Sequence, residues 1–133
     1  MKDDANYSIE LCPTQGLVRM KLTGYWDDET SERFATELRS AIKKLEDVGV
    51  GRGEYLLFAD LSESAIQSTG MADQLRRLAQ DFGANAKRVA VIVSSTLLKL
   101  QVGRMSSGID TYRVFGPEQA SLAQGWLVDP AAG

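Results

Sequence analysis

The segment YSIELCPTQGLVRMKL, residues 7–22, decides how the rest of the chain must be arranged. Tyr7, Ile9 and Leu11 alternate with Ser8, Glu10 and Cys12, and Val18, Met20 and Leu22 alternate with Arg19, Lys21 and Thr23. A period of two marks half-buried strands. Between them Pro13, Thr14, Gln15 and Gly16 have the composition of a turn. Pairing Cys12 with Leu17 sets the register. Tyr7 then faces Leu22, Ile9 faces Met20 and Leu11 faces Val18, while Glu10 faces Arg19 as an opposite-charge pair on the other side. One register satisfies both faces, which specifies a β-hairpin.

Beyond the hairpin, Gly24-Tyr25-Trp26 lead to Asp27, Asp28 and Glu29, acidic residues suited to the positive end of a helix. Phe34, Leu38, Ala41, Ile42 and Leu45 then recur at spacings of three and four, which predicts an amphipathic helix over Asp28–Asp47. Gly49, Gly51 and Gly53 end it. Residues 55–59 are a continuous apolar run closed by Asp60, as in a central strand covered on both faces. Met71, Leu75, Leu78, Ala79 and Phe82 give a second helix its buried face, with Gly83 as its stop. Residues 89–93 form another apolar strand. Ser94, Ser95 and Thr96 cap a third helix over residues 97–105, which Ser106-Ser107-Gly108 breaks. A short strand at Tyr112–Phe115 precedes a last helix that Pro117 opens, carrying Ala120, Leu122, Ala123, Trp126 and Leu127. The order β-β-α-β-α-β-α-β-α predicts one α/β domain over residues 1–133, with a mixed, mostly parallel sheet, an N-terminal hairpin and four helices.

Composition narrows the function. A net charge of -3 argues against nucleic acid as the main partner. With no histidine and one cysteine, Cys12, the chain has no Cys/His zinc set, no Ser-His-Asp or Cys-His catalytic group and no internal disulfide. Cys12 falls on the polar face of the hairpin. No phosphate-binding glycine loop is recognisable. The expectation is therefore a non-enzyme without catalytic residues, metal or cofactor. The polar start Met1-Lys2-Asp3-Asp4-Ala5 and the absence of an apolar run of roughly 20 residues place it in the cytoplasm.

Three stretches carry a family resemblance. Leu22-Thr23-Gly24-Tyr25-Trp26 joins the hairpin to the first helix. Asp60-Leu61-Ser62 ends the central strand and precedes Gln67-Ser68-Thr69-Gly70 at a helix start. Tyr112-Arg113-Val114-Phe115-Gly116 and Gly125-Trp126-Leu127 close the chain. In order and spacing these resemble the SpoIIAA-like group, which shares its architecture with STAS domains and, more loosely, with Sec14-type lipid-binding domains. The resemblance implies a regulatory or protein-interaction module. Anti-sigma-factor antagonists of this kind have an Asp-Ser-Ser-Gly stretch whose serine is phosphorylated by a partner kinase. Here Gln67 stands in the aspartate's place and Thr69 in the second serine's, and the spacing from Asp60 is one residue short. These departures argue against a conserved phosphoswitch.

Candidate site residues follow from both lines of reading. Ser68, Thr69 and Gly70 form a helix start that would stabilise an added phosphate; plain N-capping explains them equally. Asp60 and Ser62 end a strand where open α/β sheets commonly bind ligands, or form a local polar turn. Trp26, with Tyr25, is either an exposed contact anchor or packing at the sheet end. Leu98, Val102, Met105 and Ile109 share one face of the third helix, and Leu97 and Leu100 point elsewhere. Leu97, Leu98 and Leu100 thus outline a surface for a protein partner, a second copy of the chain, an apolar ligand or a lipid, with Lys99 and Arg104 at its rim. The alternative function is accordingly a Sec14-related module for a small apolar ligand, lipid or membrane surface.

Overall fold

Strands β1 (Asn6–Cys12) and β2 (Leu17–Thr23) pair antiparallel, with Cys12 opposite Leu17, Ile9 opposite Met20 and Glu10 opposite Arg19. This is the register that the alternation requires. The turn is a single 3-10 turn closed by Gly16 at φ 62°, a left-handed conformation that glycine adopts without a Cβ penalty. The computed structural model describes residues 4–128; the polar start at residues 1–3 lies outside them.

Parallel strands β3 (Leu56–Asp60), β4 (Arg88–Ile92) and β5 (Tyr112–Phe115) extend the sheet in the order β1-β2-β3-β4-β5. Helices α1 (Asp28–Asp47), α2 (Thr69–Leu78) and α3 (Thr96–Met105) make the crossovers. Since each crossover is right-handed and each steps to the next strand in the same direction, all three helices share one face. There Val18, Met20, Leu22, Leu57, Val89 and Val91 bury against Phe34, Leu38, Leu45, Leu98 and Val102. Helix α4 (Ala120–Val128), entered through a 3-10 turn at Pro117–Gln119, covers the other face, where Leu17, Phe58, Ala90 and Ile92 meet Ala123 and Leu127. Cys12 is half-buried against this second cluster. It shares that face because it pairs with Leu17, so the polar surface expected around it is partly covered.

Helix α1 begins where its sequence signals place it. Asp27 is the N-cap, its Oδ1 accepting the Thr30 N–H at 2.8 Å. The Thr30 hydroxyl and then the Thr30 backbone N–H hold the Asp27 carboxyl below its ordinary 3.8. A depressed carboxyl stabilises the fold above its unfolded value, and that stability is lost as pH falls through the lower folded value. We expect Asp27→Asn to remove this acid dependence: the melting-temperature gap between native and variant should change between about pH 5 and pH 2 and stay level above it.

Helix α2 departs from its expected form. Of its apolar face only Met71 is buried, while Leu75, Leu78, Ala79 and Phe82 are half-buried. The helix does not run regularly to Gly83; residues Ala79–Gly83 form a wider π-helical turn. Such a turn leaves carbonyls misaligned for the usual ladder, and three hydroxyls meet them. Tyr55 donates to Phe82 O at 2.6 Å, Thr111 to Gly83 O at 2.8 Å and Tyr112 to Ala79 O at 3.3 Å. Burial pushes the Tyr55 phenol up to about 12 and raises Tyr112 as well, so both remain neutral donors. Gly83 is required for contact: a Cβ there would collide with the Tyr112 hydroxyl.

Candidate functional site

The connections leaving β2, β3 and β4 meet at one end of the sheet. Gly24 N–H donates to Glu63 O at 3.1 Å, and Ala65 N–H donates back to Gly24 O at 3.2 Å. These bonds extend β2 for one residue beside the loop that follows β3. That loop ends at Gln67, which is buried at 9% exposure. Its Oε1 accepts the Trp26 N–H at 2.8 Å, and its Nε2 donates to Gly24 O at 3.0 Å and Ala65 O at 2.7 Å. Its backbone N–H and C=O form a pair of bonds with the Gln101 side chain on α3, at 2.9 and 3.0 Å. One amide thus joins the β2–α1 connection to the start of α2, and a second joins that start to α3. Buried polar groups need such partners, since an unpaired one costs about 1–3 kcal/mol.

Directly after Gln67 the chain turns into α2. Ser68 is the N-cap, its Oγ accepting the Met71 N–H at 3.1 Å. Ser68, Thr69 and Gly70 are all exposed, and open space surrounds the position of a Gly70 Cβ. Thr69 lines a groove of about 760 Å³ between α2 and α3. Leu100, 56% exposed, lines the groove with the cations Arg76, Lys99 and Arg104 and the single acid Asp73. Leu97, 68% exposed, lies one turn away at the start of α3.

The structure therefore divides the residues singled out in the sequence. Thr69 and Leu100 share the α2–α3 groove, with Ser68, Gly70 and Leu97 beside it on the same helix starts. Leu98 is 2% exposed, because it lies with Val102 and Met105 on the core side of α3; it belongs to the packing and not to any surface. Trp26 is likewise buried at 3%, stacked edge-on against Phe34 with ring centroids 5.2 Å apart. Its neighbour Tyr25 is the exposed aromatic. Ile109 lies beyond the end of α3. Asp60 and Ser62 form a local turn, with the Ser62 N–H donating to Asp60 Oδ1 at 2.9 Å. They open toward α4 in a separate cleft beside Arg19 and Gln124. Gln101 carried no signal of its own in the sequence: a spacing of 34 residues separates it from the loop it holds.

No family model matches the chain, and no curated protein matches it significantly. Solved structures do. An uncharacterized DUF3478-family protein with a SpoIIAA-like fold from Shewanella loihica PV-4 superposes with a TM-score of 0.71, at 22% identity over 93% of this chain and 95% of that one. The chain has the SpoIIAA-like fold. An anti-sigma factor antagonist from Mycobacterium paratuberculosis is similar at a TM-score of 0.63 and 14% identity, over 96% of this chain and 97% of that one. The anti-sigma factor antagonist SpoIIAA in its unphosphorylated form is similar at 0.57 and 13%, over 87% and 93%.

The Gln67 amide both accepts and donates, which a carboxylate cannot do. The Sec14-type lipid reading meets a limit of size. The apolar cavity beneath α2 measures about 100 Å³, whereas pockets for drug-sized ligands run to about 300–1,000 Å³. Among the described residues no helix is long and apolar enough to cross a membrane.

Proposed function

We propose that the chain is a non-catalytic regulatory module of the cytoplasm that works by binding another protein through its α2–α3 groove. The observation that carries this reading is the composition of the groove. An exposed leucine, Leu100, sits among three cations and one acid, with a second exposed leucine, Leu97, nearby. Apolar contact in the centre and charge at the rim is the anatomy of protein interfaces. The excess of Arg76, Lys99 and Arg104 over Asp73 fits a partner surface that is acidic around an apolar anchor. The structural likeness to anti-sigma factor antagonists supports a protein partner in kind.

Thr69 is the better placed acceptor if the site is modified. Ser68 uses its hydroxyl to cap α2, whereas Thr69 is the first residue of the helix and lines the groove. A phosphate there would meet the positive helix end and alter the charge that the partner faces.

Leu100→Glu tests the reading. We expect stability within about 0.5 kcal/mol of native, as for an exposed site. Binding should be lost in co-purification from native-cell extract, followed by mass spectrometry and titration of the purified partner. A partner bound equally by native and Leu100→Glu protein would sink the groove as the interface. Sedimentation velocity across a concentration series separates the remaining occupant: a dimer that Leu100→Glu dissolves would make a second copy of the chain the partner.

A further inference from the structure

The cavity under α2 lies on the opposite side of that helix from the groove's cations, and it has a different character. Its walls are Leu38, Leu57, Leu78, Val91 and Met105 with the ring of Phe82. The polar atoms that approach it are already engaged: the Tyr112 hydroxyl donates to Ala79 O and the Ser106 hydroxyl to Val102 O. Protein cores are close-packed and hold few voids larger than a water molecule. At about 100 Å³ this space is several times the roughly 30 Å³ share of one water, and a buried water needs two to four polar partners. The walls offer only the remaining acceptor lone pairs of these two hydroxyls, so water is a poor occupant. An engineered apolar cavity of about 150 Å³ stays dry and binds benzene or xenon.

We propose that this cavity is a binding site for a small uncharged apolar molecule, of the size of a single aromatic ring or a short aliphatic chain. Volume sets the size and the apolar walls set the charge. Leu75, Leu78 and Phe82 line the cavity and are half-buried, so it comes close to the surface beside them. Phe82 also lines an outer cleft beside Arg39, whose guanidinium lies 5.5 Å from its ring centroid. The inference is independent of the partner-binding reading, since the cavity and the groove occupy different sides of α2.

Benzene, toluene and xenon are the probes, and the full chain is the sample. Toluene at about ten times its Kd should raise the melting temperature by roughly 4 °C. It should also shift the methyl resonances of Leu57, Leu78 and Val91 in carbon–proton spectra. Benzoate, of similar size but charged, should do neither. Ala59→Leu and Ala79→Leu each add a side chain into the cavity from a different wall, so if one fails to fold the other still tests the site. Either folded variant should abolish the toluene shifts. The proposal is overturned if all three probes leave the methyls and the melting temperature unchanged, if benzoate acts as toluene does, or if the filled variants respond like native protein.

Discussion

Gln67→Ala is expected to cost about 2–4 kcal/mol of folding stability, measured as a lower urea midpoint at unchanged slope. Three backbone groups lose their partner in this variant: the Trp26 N–H and the carbonyls of Gly24 and Ala65. Gly24 O retains the Ala65 N–H, which is why the cost falls below three full desolvation penalties. The Gln101 bonds run to the Gln67 backbone and survive the substitution. Gln67→Asp should be no milder. A carboxylate is shorter by one methylene, carries no donor, and would face two carbonyl oxygens from a buried position. An aspartate at this position would therefore damage this fold, and the loop that positions Ser68 and Thr69 would loosen with it. A loss below about 0.5 kcal/mol for Gln67→Ala would show that water or a neighbouring side chain replaces the amide and that the junction is not organised by Gln67.

Trp26→Ala should be the most destabilising single change, about 3–5 kcal/mol in guanidinium unfolding. The indole is almost wholly enclosed and packs edge-on against Phe34, with Tyr7 6.0 Å away between centroids. Its Nε1 donates to Thr23 O at 3.0 Å. Truncation would remove a large apolar volume from the junction of the hairpin with α1, where neighbouring rings cannot collapse without disturbing β1. Trp26→Phe keeps a ring and loses the donor, so it should cost clearly less. Equal losses for the two variants would assign the effect to the hydrogen bond with Thr23 and not to packing.

The two variants test different links in the same junction. Trp26 anchors the connection by burial and Gln67 by hydrogen bonds, and the Trp26 backbone N–H is where they meet. Their combined effect bears on function because the α2 start, Thr69 and the α2–α3 groove all follow from where Gln67 is held. A face built on helix starts depends on the rigidity of the loops that lead into them.

Local chemistry was enough to specify the elements. The hairpin register, α1 over Asp28–Asp47 and the strand Tyr112–Phe115 are set by alternation, capping and turn residues, all of which act within a few positions of one another. Right-handed crossovers between successive strands leave few arrangements, and the structure selects the order β1-β2-β3-β4-β5 among them. The helical period set Leu98 apart from Leu97 and Leu100, but that the face of Leu98 is buried, so that it takes no part in the surface expected of it, was decided only by the fold.

Tertiary structure alone decided the rest. Whether Trp26 or Tyr25 faces water depends on the rings of Phe34 and Tyr7, which come from α1 and β1. The wide turn at Ala79–Gly83 depends on hydroxyls from Tyr55, Thr111 and Tyr112. Gln67 reads as a polar loop residue until Gly24, Ala65 and Gln101 are brought around it. The physical reason is common to all three. Periodicity and capping report how a segment meets an average core or solvent, whereas a buried hydrogen bond or a cavity is defined by which particular atoms from separate segments meet, and that is settled only when the chain has closed.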